Sequence, residues 1–294
     1  MPVKTEWVTN TFGHVYRGRT LHKGRTPFQS MEIVENKTFG TLLFLDGKIQ
    51  ISDGDENRYH QYLVSAPLLA HRHPQSMLVI GGGDCFAIEE AVKFKSLKRI
   101  LMVEIDRGVV DFCRKHYPVI QRCLKDRRVE VVYQDARRWL DDHSETFDVL
   151  IVDLTEPHGP SKMLYTQEFY RLCRKRLNPG GLLSIHTDNY YLFPESFATI
   201  HKTLRSVFPH VATARVDMPC FGMGWTYRMA SARPIRIARM EKGARRLALR
   251  HFSASLYEGK PTVEELDVLR KFGRVSTDRR PFDKFARMEK YVTR

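Results

Sequence analysis

Apolar positions fall into short, evenly spaced runs. Met77–Ile80, Ile100–Val103, Val129–Tyr133 and Phe147–Val152 are apolar blocks long enough for a strand and too short for a buried helix. Stretches of helical period separate them, with Val109 to His116 the clearest. Beyond them the pattern gives a helix from Gln167 to Leu177, a turn at Asn178-Pro-Gly-Gly181, a strand from Leu182 to Thr187 and a helix from Pro194 to Phe208. Two adjacent strands, Val211 to Val216 and Trp225 to Ala230, close the series. Alternating strands and helices of this kind predict a doubly wound α/β sheet. Upstream, His14 to Ile51 reads as antiparallel β. Phe28, Met31, Ile33 and Val34 share one strand, Gly40 to Leu45 forms another, and Asp46-Gly47 makes a two-residue hairpin turn. Asp53 to His71 reads as a helix with acids in its first turn. The expected organisation is an N-terminal β domain at 1–52, an α/β domain at 53–232 and a basic, helical extension at 233–294.

Composition changes little in this picture. At 294 residues and 42% hydrophobic, the chain can bury a sizeable core. It contains no run approaching the ~20 apolar residues of a membrane span, and Met1-Pro-Val-Lys-Thr-Glu-Trp7 lacks the apolar centre of a signal peptide, so a cytoplasmic protein is expected. Five cysteines without metal-ligand spacing are expected to be reduced thiols. The net charge of +14 suggests nucleic acid, but 17 basic and 8 acidic residues in 233–294 place +9 of it at the C-terminal end. A solvated helical segment accounts for that asymmetry without a nucleic-acid partner.

Chemistry concentrates where the runs end. Ile80 leads into Gly81-Gly-Gly83-Asp84, and Glu104 closes the next run about 20 residues beyond the glycines, the spacing of a nucleoside-binding βαβ unit. Gly81 and Gly83 let the backbone turn sharply and approach a ligand, and Glu104 can accept both ribose hydroxyls. Asp84 is the more specific signal, because an aspartate at the helix N-terminus would repel a pyrophosphate. A cationic ligand without phosphate, such as a sulfonium nucleoside, suits it better. Asp135-Ala136 stands at the C-terminal end of the third run, where Asp135 can accept from an exocyclic amine, cap the following helix, or do both. Asp153 ends the fourth run, and Glu156 follows in a loop stiffened by Pro157, Gly159 and Pro160. No Lys or Arg comes between Asp153 and Lys162, so two nearby carboxylates there would favour a cationic ligand.

Together these pieces resemble the polyamine aminopropyltransferases, the spermidine synthase family, from about Thr11 to Ser231. The matching stretches are Thr26-Pro-Phe-Gln29, Leu45-Asp-Gly-Lys-Ile-Gln50, Glu56-Asn-Arg-Tyr59-His60, Ile80-Gly-Gly-Gly-Asp84, Val103-Glu104-Ile-Asp106, Asp135-Ala136 and Asp153-Leu-Thr-Glu156-Pro-His-Gly-Pro160. The resemblance implies a Rossmann-like sheet of the nucleoside methyltransferase type. It also implies transfer of an aminopropyl group from decarboxylated S-adenosylmethionine to an amine, putrescine by default, with release of methylthioadenosine. Gln29, His60, Asp84, Glu104 and Asp135 would hold the nucleoside and its arm, with Gly81, Gly83 and Ala136 beside them. Tyr59 and Asp153 would position the attacking amine, with Asp153 taking its proton, and Glu156 and Gln50 would meet the rest of it. The sulfonium is already an activated leaving group, so no metal and no permanently bound cofactor is expected. The partner would be a small-molecule amine, and the family's usual state is a homodimer or homotetramer.

Four differences bear on the acceptor rather than on the reaction. Cys85-Phe86 stands where the family usually has two glycines, and Glu156 where it usually has aspartate. No tyrosine aligns near Pro219-Cys-Phe-Gly222, and the tail is longer and more basic. An S-adenosylmethionine-dependent methyltransferase is the competing enzyme, against which Asp84 and the Asp153/Glu156 pair argue. A non-catalytic nucleoside- or polyamine-binding relative would have dispensed with Asp153.

Overall fold

A computed structural model describes residues 3–285. Residues 1–2 of the predicted N-terminal domain and 286–294 of the predicted extension lie outside the described residues. Thirteen strands build three sheets among them. β1 (Val3–Trp7) and β2 (Gly13–Arg17) form a hairpin, and β3 (Arg19–Arg25), β4 (Ser30–Asn36), β5 (Gly40–Leu45) and β6 (Lys48–Ser52) form a four-stranded antiparallel meander. The remaining strands are β7 (Ser76–Gly81), β8 (Arg99–Glu104), β9 (Val129–Tyr133), β10 (Phe147–Asp153), β11 (Leu177–Thr187), β12 (His210–Met218) and β13 (Met223–Ser231). They make one sheet in the order β12-β13-β11-β10-β7-β8-β9. β9, β8, β7, β10 and β11 run parallel, whereas β13 and β12 pair antiparallel at the edge. The fold is the predicted doubly wound α/β sheet with a small antiparallel N-terminal β region.

Strand periodicity explains the two-sided core. Met77 and Val79 of β7 face one hydrophobic cluster, and Leu78 and Ile80 face the other. Both clusters are sealed, which is why these strands read as continuous apolar runs. Strand order reverses between β7 and β10, because β8 and β9 lie on one side and β11 on the other. A switch point of this kind opens a crevice beyond the strands' C-terminal ends.

Several boundaries differ from the sequence reading, each for a local reason. The helix expected over Asp53–His71 is Glu56–His60, a π-turn at Gln61–Ser65, and Ala66–Ala70. Pro67 lacks an N–H to donate back into the ladder, and just before it Ala66 N–H reaches the Gln61 carbonyl five residues back. Phe28 lies in the turn before β4 rather than in the strand, with half its surface exposed. β11 begins at Leu177, so the Asn178-Pro-Gly-Gly181 turn is a strand irregularity, with Gly180 at φ +87° and a register shift opposite Phe147 and Val149. Hydrophobic alternation also missed β1, whose residues are mostly exposed. In the region after Ser231, helices occupy Met240–Arg246, Ser255–Glu258 and Val263–Lys271, and 272–285 is not helical.

Two non-glycine residues near the crevice hold a left-handed backbone, Asp46 at φ +46° in the hairpin turn and Cys85 beside the glycine loop. Cys85 holds φ +67°, ψ 9° as N-cap of the helix Phe86–Val92, a left-handed conformation that costs a non-glycine residue about 1–2 kcal/mol. Its side chain is fully buried, so contacts offset part of that cost. The chain thus keeps a glycine-like backbone with a cysteine in it.

Candidate active site

The crevice holds a cavity of about 1240 Å³. That exceeds the ~300–1,000 Å³ usual for one small ligand, so two substrates can lie side by side. Among the residues singled out in the sequence, Gln29, Gln50, Tyr59, Gly81, Gly83, Asp84, Glu104, Asp135, Ala136, Asp153 and Glu156 all line it. His60 stands one layer behind, fully buried.

One wall is a cradle made by the ends of β7, β8 and β9. Gly81 sits at φ +78°, and a Cβ there would come within 2.2 Å of the Asp153 carbonyl oxygen, so only glycine fits where β7 meets β10. Glu104 accepts the Asp106 N–H at 2.8 Å, and its other oxygen faces the space beside Gly83. Burial, with Asp106 adding repulsion, pushes its carboxyl up to about 7. A ligand donating hydroxyls would reverse that shift. Asp135 accepts the Arg138 N–H at 2.8 Å as helix cap and still reaches the wall, so its two readings coexist. Gln29 donates to Asp106 Oδ2 at 3.0 Å and Thr26 to the same oxygen at 2.6 Å, tying the β meander to the end of β8.

The centre is a shielded cluster of two carboxylates and one imidazole. One ligand atom each of His60, Asp84 and Asp153 lie within 4.8 Å of one another. Tyr59 donates its hydroxyl to Asp153 Oδ1 at 3.2 Å, and Asp84 Oδ1 accepts the Phe86 N–H at 2.9 Å. Burial and then Asp84's charge raise Asp153 to about 7, while burial also raises Asp84. Burial alone would lower His60, but its hydrogen bond to Glu56 and the charges of Asp84, Glu56 and Asp153 lift it to about 9. Asp153 Oδ2 and His60 Nε2 have no hydrogen-bond partner among the described residues. With His60 held protonated, Nε2 is a donor and Asp153 Oδ2 is the unpaired acceptor; lying beside a second carboxylate, that oxygen favours a cationic ligand. Burial, followed by Asp153's charge, holds the Tyr59 phenol well above its usual range, so it remains a proton donor.

Aromatic rings wall the side opposite the cradle. Tyr59 lies 5.5 Å from His186 and from Tyr227, and 6.3 Å from Phe221. Trp225 Nε1, which can only donate, points at His186 Nδ1 at 3.3 Å. His186 Nε2 must therefore carry the proton that it gives to the Leu154 carbonyl at 2.7 Å. The ring is neutral, in keeping with a pKa lowered by burial. Tyr16 of β2 donates its hydroxyl to the Cys220 carbonyl at 2.7 Å, so a tyrosine does stand beside Pro219–Phe221, brought from a distant strand rather than from the local sequence, while Phe221 and Trp225 line that part of the wall.

The far end departs from expectation in one respect. Glu156 is not short of a cation, because Lys284 Nζ lies 3.6 Å from its Oε1. Burial would raise the Glu156 carboxyl, but Lys284 and then Lys48 bring it below its usual value. Gln50 Nε2 donates to the Lys48 carbonyl at 3.3 Å. Sequence reasoning missed Lys284, His186, Phe193 and Trp225, all on the cavity wall. His186 was within reach of the rule that singled out Asp135 and Asp153, since it lies at the C-terminal end of a parallel strand. Lys284 carried no local signal.

Comparison with known proteins agrees with this architecture. Residues 56–237 match the spermine/spermidine synthase domain, and 5–53 match the spermidine synthase tetramerisation domain. A polyamine aminopropyltransferase of Bacillus mycoides (strain KBAB4) is 34% identical over 86% of this chain and 93% of its own length. That of Bacillus subtilis (strain 168) is 36% identical over 77% of this chain and 83% of its own. A spermidine synthase solved in complex with the transition-state analogue AdoDATO superposes with a TM-score of 0.86 at 26% identity, covering 92% of this chain and 95% of that one. The spermidine synthase of Thermotoga maritima superposes at 0.83, with 25% identity over 92% and 94%. With its sheet order, its cavity at the switch point and these likenesses taken together, the chain belongs to the spermine/spermidine synthase family and is an enzyme of the polyamine aminopropyltransferase class.

Proposed function

We propose that the protein transfers the aminopropyl group of decarboxylated S-adenosylmethionine to the primary amine of a di- or polyamine, with putrescine as the reference acceptor. The amine nitrogen forms a bond to the propyl carbon next to sulfur. The carbon–sulfur bond breaks with its electron pair going to sulfur, and methylthioadenosine leaves. The observation that carries this reading is the Asp84/Asp153 pair at the centre of the cavity, with Asp153 Oδ2 unpaired among the described residues.

Each wall then has a task. Glu104 accepts the ribose hydroxyls, Asp135 and Ala136 meet the base, Gly81 and Gly83 admit the nucleoside, and Gln29 sits beside them. Asp84, backed by His60, holds the ammonium of the propyl arm. An alkylamine with a pKa near ~10 arrives protonated and cannot attack carbon, so Asp153 must bind it and remove the proton while Tyr59 orients the carboxylate. Glu156 and Gln50 lie along the rest of the acceptor. The sulfonium supplies the leaving group, so the step needs no metal, and proximity supplies much of the rate.

The three functional segments proposed are 1–52, 53–232 and 233–294. The exposed Val3, Trp7 and Val15 side chains of the N-terminal hairpin support a homo-oligomer built there. A mass of 34.3 kDa by light scattering at micromolar concentration would refute that assembly. Five buried free thiols suit the cytoplasm. Incubation with decarboxylated S-adenosylmethionine and a panel of amines should give products heavier by one aminopropyl unit, together with methylthioadenosine. Methylated products formed from S-adenosylmethionine instead would overturn the assignment.

A further inference from the structure

Two carboxylates face each other at the far end of the amine side, Glu156 on the loop after β10 and Asp188 just beyond β11. An alkylammonium already lies between them. Lys284 Nζ makes an ion pair with Asp188, stands 3.6 Å from Glu156 and sits 3.8 Å above the centre of the Phe193 ring. Its side chain is 2% exposed. Two carboxylates and an aromatic face make a complete cage for a primary ammonium. A lysine side chain, four methylenes ending in an ammonium, matches one end of 1,4-diaminobutane group for group.

The segment that delivers Lys284 is fastened along its length. Ser276 Oγ accepts the Phe282 N–H at 3.0 Å, and Asp278 pairs with Arg137 and accepts from Thr166 at 2.7 Å. Asp283 bonds His158 at 2.8 Å and Lys162 at 3.2 Å, and Lys284 N–H donates to the Pro157 carbonyl at 2.8 Å. Phe285 packs edge-on against His158. These contacts clasp the loop that carries Glu156, so the ammonium is a fixture of the wall. An incoming diamine would have to break a buried ion pair to take its place, which leaves a charge uncompensated.

We propose that Lys284 permanently fills the subsite for the acceptor's far ammonium. The enzyme then selects its acceptor by the attacking amine and its alkyl stem, and accepts a primary alkylamine that has no second ammonium. This rests on the aminopropyltransferase reading of the cavity. A lysine that only tied down the loop would affect all acceptors alike.

The test compares kcat/KM for 1,4-diaminobutane and for n-butylamine, corrected for free-base fraction and for the two equivalent ends of the diamine. In the wild-type protein the two values should agree within about threefold, a difference under ~1 kcal/mol. Lys284→Met, which keeps the stem and frees the carboxylates, should raise the diamine-to-monoamine ratio at least about tenfold. A ratio that does not move, or a wild-type preference for the diamine above about tenfold, overturns the proposal. Should the variant fail to fold, amine-reactive labelling of the wild-type protein read by mass spectrometry decides the matter. Lys284 should stay unlabelled with and without millimolar 1,4-diaminobutane, and labelling driven by the diamine would refute permanent occupancy. Absence of aminopropyl transfer to any amine, in either protein, would instead defeat the proposed reaction and leave the labelling result to be judged on its own.

Discussion

Asp153→Asn should lower turnover by roughly 10²- to 10⁴-fold and, in the unliganded protein, raise the thermal midpoint at pH 8. The loss of rate follows from removing the group that binds the ammonium and takes its proton, while the amide keeps the size and the contact with Tyr59. The gain in stability follows from linkage. Asp153 has a folded pKa of about 7 against an ordinary value of 3.8, so between those values the folded chain keeps a proton that the unfolded chain releases. Stability from this group therefore falls as pH rises from about 4 to 7, and the full cost is borne above 7. Three pH units correspond to roughly 4 kcal/mol at most, and water in the cavity reduces this to about 1–2 kcal/mol, or a few degrees in midpoint. Saturating-substrate turnover and calorimetry at pH 5.5 and 8 are the checks. Retention of more than about a third of wild-type turnover would remove Asp153 from its role, since loss of a general base costs at least ~10²-fold. A midpoint lowered at both pH values would mean that the buried charge is not strained. The same pKa predicts that wild-type kcat/KM climbs with pH toward 7 as the carboxylate forms.

The second large effect is selection of the nucleoside. S-Adenosylmethionine carries a carboxylate beside its amine, and the decarboxylated form carries only the ammonium. With one oxygen of Asp84 already fixed by the Phe86 N–H, that carboxylate cannot turn away from the arm. Asp153 stands close by, within the same 4.8 Å cluster. Two like charges about 4 Å apart at an effective dielectric near 20 repel by roughly 4 kcal/mol, a discrimination of several hundred-fold even after solvent takes a share. Calorimetric titration should find the decarboxylated nucleoside bound at least about tenfold more tightly, with the gap narrowing in Asp84→Asn. Equal affinities in the wild-type protein would remove Asp84 as the selector and favour methyl transfer. His60, held near a pKa of about 9 by its acidic neighbours, is the built-in counter-charge that lets both aspartates stay in one place.

Legibility in the sequence followed the range of the interactions. The central parallel strands β7, β8 and β10 declared themselves because burial on both faces makes them almost continuously apolar, whereas β9, half-exposed at the sheet edge, showed through its β-branched residues; their C-terminal ends then carried Gly81, Asp84, Glu104, Asp135 and Asp153 to one edge. Tyr59 and His60 were legible through the family pattern, although the π-turn behind them was not, since its cause is the single missing donor of Pro67. β1 was missed because its five residues carry only Val3 and Trp7 as apolar positions, both exposed, too few to stand out as a strand pattern. Lys284 was missed for another reason. Its charge made it look like one more solvated cation in a basic tail, and only the tertiary return of that tail buries it against Asp188. A charge count along the chain cannot tell a solvated lysine from one matched with an acid almost a hundred residues away.

The cavity is closed by both described ends of the chain. Glu6 and Trp7 of β1 line it together with Lys284 and Phe285, and Lys48 joins the two by bonding the Trp7 carbonyl and lying 5.7 Å from the Phe285 ring centre. During synthesis the sheet strands are all in place once Ser231 has emerged, yet the ribosome needs roughly 3–10 s more, at 5–20 residues per second, to deliver the segment that seals the chamber. Asp84, Asp153, Glu156 and Asp188 are therefore all synthesised before Lys284, the cation that pairs with the last two. The order of residues thus places the acidic centre early in the chain and the lysine that neutralises its far end late.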